Sequence, residues 1–281
     1  MHACFAQLLV HLDASPGAVQ RLAVARRIAC TQGAAVTALY AVTPRFVALP
    51  FAPDIGPGIA EALRDIDDGL RQQAHSAFEQ SLATPGVQVA WAEIRDDPVT
   101  AVFAQQALFA DLLVLGQREP DGEWSDSVPP GFVENVLASS GKPALVVPWA
   151  GTLPEPLNDT VVIAWKPTRE AAHAVSAAMP LLQRARQVHI LSWAGENEAV
   201  EGRSLDLPGY LRLRGVNATW HPQGPEPEGS LGELLLSRAF DLQASLLVMG
   251  CYGHSRAREW VLGGTTRTVL ECMTLPVLMA H

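Results

Sequence analysis

One apolar pattern occurs twice in this chain, and the repeat limits the folds that the sequence can adopt. Residues 110–116 read ADLLVLG and residues 244–250 read ASLLVMG. Residues 8–15, LLVHLDAS, correspond in the same order to residues 161–168, VVIAWKPT. In both copies the first apolar run precedes an alanine-rich pattern with helical spacing. The repeat therefore predicts two copies of one arrangement of strands and helices.

The repeat also predicts the domain boundaries. A length of 281 residues suits two domains of ordinary size. The ends of the two copies match as well, with KPALVVPWA at 142–150 and LPVLMAH at 275–281. We therefore expect domains at residues 1–150 and 158–281, joined by the polar, proline-containing linker GTLPEPLN at 151–158.

Each copy alternates short apolar runs with helical patterns. The predicted strands are 6–12, 35–42, 87–94, 111–116 and 143–148 in the first copy, and 160–165, 187–193, 216–222, 245–249 and 276–280 in the second. Continuous apolar strands between helices are typical of a parallel sheet that is covered on both faces. Right-handed crossovers then favour a doubly wound order. The predicted fold class is α/β, with two tandem five-stranded Rossmann-like domains whose ligands bind beyond the carboxyl ends of the strands.

Composition and charge exclude several classes of partner. The net charge is −9, so the chain has no general attraction for nucleic acid or for an anionic membrane surface. No run of 18 apolar residues is present to span a membrane. The four cysteines show no CxxC spacing and no regular framework, which favours free thiols in a reducing cytoplasm.

A glycine-rich stretch follows the fourth strand of the second copy. Residues 250–270 read GCYGHSRAREWVLGGTTRTVL. The first two glycines suit a tight turn that lets backbone N–H groups approach a ligand. The Gly-Gly pair precedes a helix for which Thr265 or Thr266 is the expected N-cap, and a helix N-terminus attracts anions. The stretch predicts a phosphate site, and the alternative is that its glycines only make turns.

The same stretch resembles the C-terminal half of a universal stress protein domain, whose signature is Gly-x2-Gly-x9-Gly followed by Ser or Thr. The resemblance extends through both halves, so the chain resembles a tandem universal stress protein. It implies a five-stranded α/β fold and ATP as ligand, alone or with Mg²⁺, with the phosphates on the signature loop. It also implies that the domains pair through their last strands. In a tandem chain this pairing gives an intramolecular pseudo-dimer, and further homodimerisation stays open.

The resemblance assigns the binding residues of the second copy. Gly250, Gly253 and Gly263 match the signature glycines, and Gly264 stands where the family has Ser or Thr. The expected ligand-binding residues are Gly250, Gly253, His254, Gly263, Gly264, Thr265, Thr266 and Lys166.

Lys166 is the main departure from the family pattern in the second copy. It stands at the end of the first strand, where the family has an Asp that contacts the ribose. An ammonium only donates hydrogen bonds and cannot accept them from ribose hydroxyls. Three roles remain for Lys166: contact with a phosphate, a solvated surface position, or an ion pair across the cleft.

The first copy departs in the opposite way. It keeps the Asp as Asp13, but its signature region, GQREPDGEWSDSVPPGF at 116–132, has lost the motif. Two prolines remove N–H donors at the helix entry, and four carboxylates in the loop repel a polyphosphate. Those acidic residues are Glu119, Asp121, Glu123 and Asp126. We therefore expect no ATP in the first copy.

Other chemistry has little support in the sequence. The histidines lie far apart with no His-x3-His or Cys/His pairing, so no metal site is predicted. Cys251 is interpreted as a small side chain that faces the sheet, with a redox-sensitive thiol as the alternative. We predict a cytoplasmic stress-response protein that binds ATP in its second domain and is not an enzyme. The alternatives are a nucleotide-free interaction module and a slow ATP hydrolase.

Overall fold

The computed structural model describes residues 4–45, 57–82, 86–94, 98–119, 127–193, 205–222, 230–251 and 264–281. The chain divides into two compact units, the N-terminal unit Cys4–Lys142 and the C-terminal unit Pro143–His281. The division falls before the expected linker at 151–158, and the domain boundaries 1–150 and 158–281 stay predictions.

The described part of the N-terminal unit alternates strands and helices. Its elements are β1 (Gln7–Leu12), α1 (Pro16–Gln32), β2 (Ala35–Tyr40), α2 (Pro57–Leu82), β3 (Val89–Glu93), α3 (Val99–Ala107), β4 (Leu112–Gly116) and α4 (Phe132–Ser140). Pairing is parallel throughout, and the strand order is β3-β2-β1-β4. The central strands β1 and β4 are almost entirely buried, as their continuous apolar runs predict.

The C-terminal unit follows the same plan with two additional strands, β5 at its start and β10 at its end. Its described elements are β5 (Ala144–Val147), β6 (Thr160–Trp165), α5 (Arg169–Leu182), β7 (Gln187–Ser192), α6 (Leu207–Leu213), β8 (Thr219–Pro222), α7 (Leu231–Asp241), β9 (Leu246–Gly250), α8 (Gly264–Cys272) and β10 (Val277–Ala280). The strand order is β5-β10-β9-β6-β7-β8. All pairs are parallel except β5 with β10, where Val146 lies opposite Val277.

Local sequence signals fix several helix ends. Gly33 ends α1 in the left-handed conformation, with φ of 71°, and its N–H donates to the carbonyl of Ala29. The hydroxyl of Thr168 accepts a hydrogen bond from the N–H of Ala171 and caps α5. The doubly wound α/β fold class predicted from the alternating pattern is confirmed.

Candidate functional site

The strand order reverses once in each unit, and that point positions a candidate crevice. In the N-terminal unit β1 lies between β2 and β4, and in the C-terminal unit β6 lies between β7 and β9. Val10 pairs with Val114, and Ile163 pairs with Val248. The crevices therefore lie beyond the carboxyl ends of β1 and β4 and of β6 and β9, where open α/β sheets bind ligands.

A buried ion pair fills the crevice of the N-terminal unit. Asp13 follows β1, and its Oδ1 lies 2.8 Å from the Nη2 of Arg21 on α1. The two side chains are only 8% and 6% exposed. The Nε of Arg21 donates to the carbonyl of His11 at 2.8 Å, and both the N–H and the hydroxyl of Ser15 donate to Asp13 Oδ1. The charges are thus paired and hydrogen-bonded, which a buried ion pair requires.

The surroundings shift the pKa values of both titratable groups at this crevice. Burial acts to raise the pKa of Asp13, but Arg21, His11 and the hydrogen bonds from Ser15 outweigh it and lower the value to about 2. Burial, with help from Arg21, lowers the pKa of His11 to about 4. The Nε2 of His11 lies 2.8 Å from the carbonyl of Ala41, and since a carbonyl only accepts, this nitrogen carries the proton. At neutral pH the crevice therefore holds a neutral imidazole and a paired carboxylate.

Gly116, at the end of β4, makes room for this ion pair. A Cβ at that position would overlap the guanidinium of Arg21. Arg21 thus occupies the space above the end of β4 that a ligand would need. The sequence analysis missed Arg21. The available signal was an arginine on the buried face of α1, between Ala18 and Leu22, shortly after an acidic strand end.

The C-terminal unit has different residues at the two corresponding positions. Aligned through the strand registers, Lys166 corresponds to Asp13, and Ala174 corresponds to Arg21. Lys166 is exposed, in a tight turn in which the N–H of Thr168 donates to its carbonyl at 2.7 Å. Ala174 is completely buried. The pair that fills the first crevice therefore has no counterpart at the second.

Gly250 has a packing role that does not depend on a ligand. A Cβ on Gly250 would lie 2.5 Å from the nitrogen of Ala171 and 2.7 Å from the carbonyl carbon of Glu170. These are backbone atoms in the first turn of α5. The helix therefore approaches the end of β9 more closely than any residue with a side chain would permit.

A buried carboxylate lies beside the end of β9. The side chain of Glu170 is 4% exposed and pairs with the exposed Nε of Arg169. Burial opposes ionisation, but the hydrogen bonds from Arg169 and from the residue's own N–H lower its pKa. The sequence analysis gave no role to Glu170, because a single glutamate at a helix start carries no motif.

Cys251 is buried next to this carboxylate. Its side chain contributes to the core, and burial together with the charge of Glu170 raises the pKa of the thiol to about 12. The sulfur is therefore in its unreactive thiol form at neutral pH. The other cysteines, Cys4, Cys30 and Cys272, are exposed and free.

The expected helix cap after the glycine-rich stretch was wrong. α8 already begins at Gly264, so Thr265 and Thr266 lie inside its first turn rather than at the N-cap. Gly264 is exposed, while Thr266 is only 4% exposed. The first N–H groups of an α-helix have no acceptor within the helix, so the donors of this turn need acceptors from outside it.

Three expected ligand-binding residues, Gly253, His254 and Gly263, lie outside the described residues, and so does the acidic stretch 120–126. Among the residues that are described, no group of three or more His, Cys, Asp or Glu side chains is arranged to hold a metal ion. None of the described helices is both long enough and apolar enough to cross a membrane.

Comparison with known proteins identifies the fold. No family model and no curated protein matches the sequence. A universal stress protein from Archaeoglobus fulgidus is similar in structure, with a TM-score of 0.68 at 15% identity, over 98% of this chain and 95% of that one. A putative universal stress protein from Pseudomonas aeruginosa has a TM-score of 0.56 at 17% identity, over 98% and 93% of the two chains.

The same fold also occurs in a protein of another kind. The cytoplasmic domain of a prokaryotic cation chloride cotransporter is similar with a TM-score of 0.50 at 13% identity, over 98% of this chain and 95% of that one. The chain therefore has the fold of the universal stress proteins over its full length, as the sequence resemblance implied. A fold that serves several kinds of protein does not by itself assign the ligand.

Proposed function

We propose that this chain is a tandem universal stress protein whose C-terminal unit binds an adenine nucleotide. The proposed ligand is ATP, alone or with Mg²⁺, in the crevice beyond β6 and β9. The proposed role is regulatory or signalling in a cytoplasmic stress response, without catalysis.

This proposal rests on the difference in charge and side-chain size between the two crevices. In the N-terminal unit, Asp13 and Arg21 fill the space with a satisfied ion pair. In the C-terminal unit, Lys166 and Ala174 replace both members of that pair, which leaves an exposed cation at the strand end and a methyl group at the helix position. A crevice with a cation at its rim suits an anionic ligand.

The start of α8 supports the same assignment. The N–H groups of Gly264, Thr265 and Thr266 occupy the first turn, where no intrahelical acceptor exists and where the helix dipole favours negative charge. Among the described residues, none lies within 4 Å of a Cβ built at Gly264. We therefore assign the phosphates to this turn and to Lys166, which contacts a phosphate rather than the ribose. The packing role of Gly250 limits it to the floor of the crevice.

In this proposal the N-terminal unit supplies a surface and not a second nucleotide site. The last strand predicted for the first copy, β5, lies in the C-terminal unit, where it pairs antiparallel with β10. This pairing supports the intramolecular pseudo-dimer that the resemblance implies. The four free thiols support a reducing, cytoplasmic location.

Two observations favour a second candidate, a nucleotide-free interaction module. Gly250 is fully explained by the approach of α5, and Glu170 places a negative charge beside the end of β9. A carboxylate at that point opposes the binding of a polyphosphate. The slow hydrolase is a third candidate, and it requires phosphate release from ATP above the uncatalysed rate.

Affinity measurements on the full chain, freed of nucleotide, separate these candidates. We expect calorimetric titration with ATP to give one site per chain, weakened by Lys166→Ala and unchanged by Lys142→Ala. Lys142 is the matched control because these are the only lysines in the sequence. The absence of heat and of any thermal shift at millimolar ATP would overturn the proposal in favour of the interaction module.

Lys166→Asp tests the role given to the lysine. If Lys166 contacts a phosphate, Asp must weaken ATP binding more than Ala does, because it adds repulsion, and it must leave the affinity for adenosine nearly unchanged. If that position contacts the ribose instead, Asp restores an acceptor and strengthens both ligands. The second pattern would contradict the assignment of the phosphates.

A further inference from the structure

Two histidines that are distant in sequence meet at the outer edge of the C-terminal sheet. His189 lies on β7 and His221 on β8, the last strand in the order. The Nδ1 of His189 is 3.0 Å from the Nε2 of His221, and the ring centroids are 5.1 Å apart at 46°. Both rings are half-buried.

The parallel register explains the contact. His189 pairs with Thr219, and Leu191 pairs with His221, so the two histidines are diagonal neighbours on one face of the sheet. Neither ring is carried by a loop, so the sheet itself holds the two nitrogens at this separation. The sequence analysis predicted no metal site because it searched for short His and Cys spacings, which do not capture residues on neighbouring parallel strands.

The distance between the nitrogens suits a shared metal ion. Imidazole nitrogens bind Zn²⁺ at about 2.0–2.1 Å. If the angle between two such bonds at the metal lies between the square-planar value of about 90° and the tetrahedral value of about 109°, the two nitrogens are roughly 2.9–3.4 Å apart. In the present state one ring must donate an N–H to the lone pair of the other, because two lone pairs would repel each other.

We propose that His189 and His221 form a two-histidine site for a divalent late transition metal ion such as Ni²⁺, Cu²⁺ or Zn²⁺, with water in the remaining positions. The ring that now donates moves its proton to its other nitrogen, and both facing lone pairs then bind the metal. No proton is released by this exchange of tautomers. Imidazole ligands favour these ions over Mg²⁺ and Ca²⁺.

Metal binding at this point would stabilise β8, the most exposed of the described strands of the C-terminal unit. Three of the four residues of β8 are exposed, and β8 pairs with β7 alone. An ion shared between the two strands stabilises the paired state, because it binds the folded edge and not the separated strands. The site lies on β7 and the edge strand β8, and it is independent of the nucleotide proposal.

The test uses the full chain without an affinity tag, stripped with a chelator, and NiCl₂ as the probe. We expect calorimetry to show one Ni²⁺ site per chain and unfolding at a higher temperature with Ni²⁺ present. Since loss of even an outer partner of a metal ligand costs about 10–100-fold in affinity, His189→Gln and His221→Gln should each weaken binding by at least roughly tenfold. His75→Gln is the control, because His75 is a half-exposed histidine paired with Glu79 rather than with a second imidazole.

A second measurement avoids any dependence on the folding of the variants. In the wild-type chain, Ni²⁺ should protect His189 and His221 from modification by diethyl pyrocarbonate and leave His75 reactive. The proposal is overturned if no Ni²⁺ binds below millimolar concentration, if both single variants bind it as well as the wild type, or if the protected histidines are others.

Discussion

The substitution Gly250→Ala tests whether this glycine is retained for packing. The new Cβ would lie 2.5 Å from the nitrogen of Ala171 and 2.7 Å from the carbonyl carbon of Glu170, both of which are backbone atoms. Ordinary contacts begin near 3.4 Å, so the first turn of α5 or the end of β9 has to move by roughly 0.9 Å. Neither element can yield by changing a side-chain rotamer.

The expected cost follows from this overlap. Overpacking a close-packed site costs about 1–3 kcal/mol, and the overlap with backbone atoms of α5 places Gly250→Ala near the upper figure. For a unit of this size, a loss of about 3 kcal/mol lowers the melting temperature by roughly 6–12 °C. Urea denaturation and thermal unfolding, both without nucleotide, measure the effect.

Gly264→Ala is the matched control. Its Cβ meets no described residue within 4 Å, and Ala is favoured over Gly in a helical turn. We expect Gly264→Ala to be neutral or stabilising by up to about 1 kcal/mol. If Gly250→Ala left the free energy of unfolding within about 0.5 kcal/mol of the wild type, the surface-substitution range, the packing explanation would be refuted.

Three further predictions concern the buried groups. Arg21→Met should lower the free energy of unfolding by about 3–5 kcal/mol, because it leaves Asp13 buried without its cation. Adding Asp13→Asn should recover part of this loss in urea denaturation. If the effects of the two substitutions were additive, the ion-pair argument would be contradicted. The pKa of His11 is about 4 in the folded state and 6.5 in the unfolded state, so between these pH values only the unfolded state binds this proton. The contribution of His11 to the free energy of unfolding is therefore fully present above pH 6.5, and it falls by about 3 kcal/mol as the pH drops to 4. Asp13, with a folded-state pKa of about 2, continues the loss below pH 4, and His11→Gln should remove only the upper part of the slope. Ellman's reagent should react with three thiols in the folded chain, and with Cys251 only after unfolding.

The strands were predictable because burial on both faces leaves a strong local pattern. β1, β4, β6 and β9 are continuous apolar runs in the sequence, and each is buried apart from one or two end residues. Gly33 ends α1, since the left-handed conformation that it adopts favours glycine. The start of α8 was missed, because a Thr-Thr pair fits an N-cap and a first turn about equally well.

The candidate site was less predictable, because its decisive contacts join residues on different elements. Nothing in a local pattern shows that Arg21 turns inward to Asp13, or that α5 approaches the backbone of Gly250. The sequence motif predicted that Gly250 binds a ligand. The structure adds that Gly250 is needed for the close packing of α5 against β9, whether or not a ligand is bound. The role of Lys166 stays a prediction, since its ligand would be needed to distinguish a phosphate contact from a solvated position.

The ion pair of Asp13 and Arg21 also restricts how the two repeats can exchange sequence. A recombination that joined the β6 segment to α1 would place Lys166 beside Arg21, so that two cations shared one closed space. The reverse exchange would bring Asp13 to a helix that carries Ala174 and leave the carboxylate without its cation. The first product is penalised, because two like charges in one buried space destabilise the fold. The second is not, because the position that receives the carboxylate, that of Lys166, is exposed. Exchange of sequence between the repeats at these positions is therefore disfavoured in one direction only.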